Sequence, residues 1–247
     1  SDTPLQRIDI SNATQSQNQP KWTNDKEINA FDTETSNGSV FMVSYAFPHM
    51  SGVIDSGNEE EIDSSEVWNM LTYSRCRSNL NVWYNLDFDT NALLSGILSK
   101  EDMSKLVIKN RLRTEIEGRN YDITYVKSKF LSIKDIDNSN RYDHYDIAQF
   151  FYTSLDNAAE EWINQNKEKG VKTHMFGESI CKDCHRNALD TDEKPKPSSE
   201  CSDCVTKEEA INYVRTNYST IRKYAEKDAV ITRKLAKRLF EEGEKLG

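Results

Sequence analysis

The chain has 247 residues, 36% of them hydrophobic and 30% charged, with 32 Lys/Arg against 41 Asp/Glu for a formal charge of −9. That length suits one large domain or two small ones, and the 10% aromatic content argues against disorder. The acidic balance argues against a general polyanion binder, and no apolar run nears the roughly 18 residues of a membrane span. The charge is uneven, however. Residues 207–247 carry ten Lys/Arg and seven Asp/Glu, and "KLVIKNRLR" marks a second basic strip within 100–119.

Residues 1–25 are rich in Ser, Asn, Gln and Thr and read as a flexible N-terminal arm, with a domain over 26–247. "INAFDTE" alternates as a strand, with Ile28, Ala30, Asp32 and Glu34 on one side and Asn29, Phe31 and Thr33 on the other. Asn37-Gly38 is a hairpin signal. Strands follow at 40–47 and 52–56, a helix at 60–73, a strand at 79–86 and a helix at 89–98. A strand pair is expected over 121–136, a helix at 155–166 and a final helix over 217–242. Strands first, then a strand–helix mixture closed by a long helix, predicts an α/β fold with a mixed sheet.

Asp32 and Glu34 are two apart on a strand, so both side chains leave one face. Unpaired carboxylates there repel each other and lose hydration. A hard divalent cation, Mg²⁺ or Mn²⁺, removes both penalties. The plainer alternative is a strand end open to water. In the last helix Ile221, Ala225, Thr232, Leu235 and Leu239 form one stripe, and Tyr224 and Asp228 fall inside it. An acid in a packing face needs a partner: a buried Arg or Lys, or a metal facing Asp32 and Glu34. "WYNLDFDTNALL" supplies Asp87 and Asp89 after an apolar strand, as further ligands or as a helix N-cap. Four such carboxylates could hold two cations about 4 Å apart, suited to in-line attack of water on a phosphodiester. Tyr224, one turn before Asp228, is placed to aim that water. With four His in the chain, no Ser/His/Asp or Cys/His arrangement competes.

These motifs, D-x-E in "FDTE", N-x-x-F-D in "NLDFD" and Y-x-x-x-D in "YAEKD", resemble those of DEDD-superfamily 3′–5′ exonucleases of the tyrosine subclass. The resemblance is closest to the proofreading domain of family B DNA polymerases and runs over about 28–169 and 207–240. It implies a ribonuclease H-like fold, with a mixed central sheet flanked by helices. It implies Asp32, Glu34, Asp89 and Asp228 as ligands of two Mg²⁺ or Mn²⁺ ions, and Tyr224 as the residue orienting the nucleophile. Asp89 is preferred to Asp87 because the family's acid follows the Phe, here Phe88; Asn85 matches the motif's Asn. The chain carries no polymerase palm motifs after the third motif, so the expectation is a free-standing exonuclease or a fragment of something longer.

Residues 170–206 depart from the family pattern as an insertion. Cys181, Cys184, Cys201 and Cys204 make C-x2-C-x16-C-x2-C, a zinc-site spacing. One structural Zn²⁺ held by four thiolates is expected, with two disulfides as the alternative. The lone Cys76 and the two tight pairs suggest a reducing, cytoplasmic compartment. The expected partner is single-stranded nucleic acid, DNA ahead of RNA, with a polymerase or a repair or replication protein as a further one and no membrane. Tyr84, Phe88, Tyr121 and Tyr125 are stacking candidates, and Lys105, Lys109, Arg111 and Arg113 a backbone track. Two other readings stand beside this one: the same chemistry on RNA, and a catalytically silent, zinc-stabilised binding or assembly module.

Overall fold

Eight strands form one mixed sheet in the order β3-β2-β1-β4-β8-β7-β6-β5. The computed structural model describes residues 27–36, 38–57, 60–167, 170–176 and 205–246. The strands are β1 (Ile28–Ser36), β2 (Ser39–Phe47), β3 (Met50–Asp55), β4 (Leu80–Trp83), β5 (Arg111–Ile116), β6 (Arg119–Val126), β7 (Phe130–Asp135) and β8 (Arg141–Asp146). The helices are α1 (Ser64–Leu71), α2 (Ser74–Ser78), α3 (Leu86–Ser95), α4 (Lys100–Lys109), α5 (Leu155–Ile163) and α6 (Lys207–Leu246). The N-terminal arm and the four paired cysteines lie outside the described residues.

β1 stands third in this order. It pairs antiparallel with β2 and parallel with β4, and β4 pairs parallel with β8. Gly38, at φ +86°, takes the left-handed conformation that the tight β1–β2 reversal needs and that costs glycine nothing. The alternation along β1 then sorts its side chains. Phe31 enters a core with Trp68 and Leu71 of α1, Trp83 of β4, Leu94 of α3 and Leu106 of α4. It stacks on Trp83 with ring centroids 5.2 Å apart. Ile28 and Ala30 enter the opposite core, with Ala158 and Ala159 of α5 and Ile231, Leu235 and Ala236 of α6. The small residues on this side let α6 lie close to the strand.

Several elements differ from the sequence expectation. α3 starts at Leu86 rather than 89, so Asp87 and Asp89 both lie in its first turn. The residue before the helix is Asn85, in left-handed backbone at φ 72°, ψ 52°. α6 begins at Lys207, ten residues before the expected start. The basic strip at 100–119 forms α4 and β5, with Lys105 paired to Glu101 and Asp102 and Arg111 to Asp122, while Lys109 and Arg113 are exposed. Tyr121 and Tyr125, offered as stacking platforms, are core residues 5% and 4% exposed. They alternate inward along β6 with Ile123. The expected insertion starts as a docked segment. Phe176 packs edge-on against Phe41 of β2 at 5.8 Å, and the Lys172 amide donates to the Tyr213 hydroxyl at 2.7 Å.

Candidate active site

Asp32 and Glu34 continue the side of β1 that carries Ile28 and Ala30, so they face α6. The register slips at a bulge between Glu34 and Thr35, a device that re-aims side chains at a strand end. Asp228 sits in the buried stripe of α6 with Ile221, Ala225, Thr232 and Leu235. Carboxylate oxygens of Asp32, Glu34 and Asp228 lie within 4.8 Å of one another. They line an open cavity of about 460 Å³ shared with Tyr84, Asn85, Ser154, Leu155, Lys167 and Tyr224.

Three acids at this spacing raise one another's proton affinity. Burial, then the Asp228 charge, pushes Asp32 up to about 7. Burial and the charges of Asp32 and Asp228 hold Glu34 well above the carboxylate range. Burial also raises Asp228, though the Lys167 charge and hydrogen bond pull the other way. Oδ1 of Asp228 is buried with no hydrogen-bond partner among the described residues. A buried oxygen left so is costly, and the Asp228 carboxylate lies among the two other acids. Clustered hard oxygen donors with one unsatisfied lone pair fit a divalent cation.

Asp89 reaches the same strand from the opposite side. α3 packs on the Phe31 face, where Thr33 also points, and the Thr33 hydroxyl donates to Asp89 Oδ1 at 2.5 Å. Burial first, then the Asp32 charge, raises Asp89 well above its ordinary range. So Asp89 is a close neighbour of the three-acid cluster but is not one of its members. Asp87 is spent elsewhere: it accepts from the Tyr125 hydroxyl at 2.6 Å and from the Ser128 amide and hydroxyl at 2.6 and 2.7 Å.

No protein-family model matches the chain, and no curated protein matches it.

The site contains two groups that the motifs did not announce. The first is Lys167. Its Nζ lies 2.5 Å from Asp228 Oδ2, donates to the Tyr224 hydroxyl at 2.9 Å and sits 4.9 Å from the centre of that ring. Burial works against its charge, but Asp228 and Tyr224 more than offset it and raise its pKa. α5 ends at Ile163 with Asn164 in left-handed backbone. The Gln165 amide then bonds back to Ala159 at 3.0 Å, and the Lys167 amide to Asp156 Oδ1 at 3.2 Å. These bonds fix the lysine's approach. In sequence it is one more charge in the polar run "NQNKEKG", and no spacing singles it out.

The second is Asp146, at the end of β8. Its carboxylate accepts from the amides of Asn85, Leu86 and Ala148 at 3.2, 3.0 and 2.8 Å. The first two bonds satisfy amides at the α3 start that the helix itself leaves open, and they hold Asn85 in its left-handed turn. An Asp directly after an alternating strand was the only available signal. Of the predicted substrate-side residues, Tyr84 is buried and donates its hydroxyl to the Thr153 carbonyl at 2.7 Å. Its ring edge and Asn85 line the cavity. Phe88 is 52% exposed on the first turn of α3.

Proposed function

We propose that this chain is a metal-dependent 3′–5′ exonuclease of the DEDD superfamily, tyrosine subclass, hydrolysing phosphodiester bonds at the 3′ end of single-stranded DNA. One observation carries the reading: acids almost 200 residues apart in sequence, Asp32 and Glu34 against Asp228, meet in an open cavity, and one Asp228 oxygen has no hydrogen-bond partner among the described residues. The mixed sheet with helices on both faces is compatible with the ribonuclease H-like fold the motifs imply.

In this reading Asp32, Glu34 and Asp228 hold Mg²⁺ or Mn²⁺, and Asp89 is the fourth acid, here held on Thr33. The chemistry that bound ions supply is activation of water and stabilisation of charge at the departing oxygen. Water adds to phosphorus, the bond to the 3′ oxygen breaks, and that oxygen takes a proton, releasing one mononucleotide. Tyr224 lines the same cavity and aims the water through its hydroxyl. Lys167 places a positive charge beside the acids, where the phosphate's negative charge has to approach. The four cysteines remain assigned to one structural zinc ion from their spacing, and metal analysis is expected to find about one zinc per chain.

The test is incubation of the protein with 5′-labelled single-stranded DNA, and separately RNA, in Mg²⁺ or Mn²⁺. Laddered shortening from the 3′ end is expected, faster on DNA. Equal behaviour of wild type and Asp228→Ala would overturn the reading in favour of a silent module.

A further inference from the structure

Tyr152 is the most exposed large side chain among the described residues that carry one of apolar character, at 86%. It occupies left-handed backbone, φ 53°, a conformation in which Gly, Asn or Asp is ordinary and an aromatic residue is strained. Its side chain has no hydrogen bond or ring contact among the described residues. A turn at this position needs no tyrosine, and packing does not use one.

Its surroundings are rigid and lie beside the acid cavity. Phe151, the preceding residue, is buried, stacked 6.0 Å from Tyr84 and edge-on 5.1 Å from Trp162. The Tyr152 amide bonds to the Ala148 carbonyl at 3.2 Å. Ala148 on one side and Thr153, Ser154 and Leu155 on the other line the cavity. The whole segment leaves the carboxyl end of β8, next to the end of β4, from which α3 presents the exposed Phe88. Ligands of open α/β sheets gather at such strand ends.

We propose that Tyr152 is a base-stacking platform on the rim of the cavity, holding a base of the single-stranded nucleic acid whose 3′ end enters among the carboxylates. This deepens the exonuclease reading and rests on it. The charge of the site explains the residue type. Acids line the cavity and the chain carries a net −9, so general attraction for phosphate is weak and a neutral contact must supply affinity. Stacking does so without regard to sequence, because every base offers a π face. The strained backbone fits the same role, since strain of this kind is retained where the position of a side chain matters.

The test compares wild type, Tyr152→Ala, Tyr152→Phe and Tyr152→Trp, each checked for an unchanged melting profile. Binding of a 5′-fluorescent single-stranded oligodeoxynucleotide is read by anisotropy with Ca²⁺ in place of Mg²⁺, and cleavage with Mg²⁺. Tyr152→Ala is expected to lose about tenfold in affinity and to raise KM by a similar factor with kcat nearly unchanged. The Phe and Trp variants should retain both. With an oligonucleotide lacking bases at its last few 3′ positions, wild type and Tyr152→Ala should converge. If wild type cleaves and Tyr152→Ala matches it in affinity and KM, the platform is disproved while the nuclease stands. An alanine defect that persists on the abasic oligonucleotide disproves it too. If folded wild type neither binds nor cleaves, the exonuclease reading fails and this inference falls with it.

Discussion

Two regions of the molecule bury carboxylates, and they treat them in opposite ways. Around β5 to β7, donors take the oxygens of Asp87, Asp122 and Asp135. Asp87 is held below the ordinary carboxylate range because, against the pull of burial, the Tyr125 hydroxyl and Ser128 donate to it. Asp135 is held low in the same way by Asn138 and Arg119, and Asp122 by Arg111. In the cleft between β1 and α6 the acids crowd one another. Their pKa values rise, and Asp228 Oδ1 has no partner among the described residues. Burial raises the acids of both sets and is deeper in the cleft, where fewer donors oppose it. What separates an acid that holds the fold from one that awaits a ligand is whether donors within the chain already fill its lone pairs.

Exchanging a carboxylate for its amide in each region is the sharpest way to break this comparison. Glu34→Gln should cut exonuclease activity on the order of 10³-fold, yet raise the melting temperature of the metal-free protein, because the cost of keeping this buried acid protonated above its ordinary pKa is gone. Asp87→Asn should do the reverse: activity close to wild type, with stability lower by about 1–2 kcal/mol for the lost charge-assisted bonds. Activity assays paired with thermal melts read both signs. Similar behaviour of the two variants would dissolve the distinction.

Lys167→Met comes next in size. It strands Asp228 beside two other acids, and removal of one partner of a buried pair costs about 3 kcal/mol or more. Because a divalent ion can replace the missing charge, Mn²⁺ should restore most of the loss in melts. It should stabilise this variant more than wild type.

A smaller effect is expected from pH. The folded chain keeps protons on Asp32, at about 7 against an ordinary 3.8, and on Glu34 and Asp89, also raised. The unfolded chain releases these protons near its ordinary values. Between those limits the folded state binds more protons, so stability falls as pH rises. Metal-free protein should therefore melt lower at about pH 8 than at about pH 5. The gain from Mn²⁺ should be larger at the higher pH, which differential scanning calorimetry would measure.

The comparison also explains what was legible in the sequence. Asp32 and Glu34 were readable because a period of two puts them on one face, and Asp228 because it interrupts an apolar stripe. The β1–β2 hairpin was announced by its turn dipeptide. Asp89 was found by its motif, but its approach from the far side of β1 was not. That depends on where α3 begins, and two amide bonds, from Asn85 and Leu86 to the distant Asp146, set its start. Lys167 was invisible because its role comes from a reversal after α5, not from any local pattern. α4 and β5 were obscured by charge: in "KLVIKNRLR" the helical and extended periods overlap over a few residues. The inward alternation of Tyr121, Ile123 and Tyr125 was in the sequence, and it outweighs the stacking role first assigned to two of them.

The ammonium of Lys167 has a consequence for how this protein comes into being. A cleft of like charges would ordinarily resist closing until an ion arrived, and folding would then wait on the supply of that ion. Here the chain carries its own monovalent stand-in, tethered by the Asp156 contact and laid over the Tyr224 ring. The pocket is thus assembled in advance, and in the proposed reading a metal ion would enter a cleft that a positive charge already holds together.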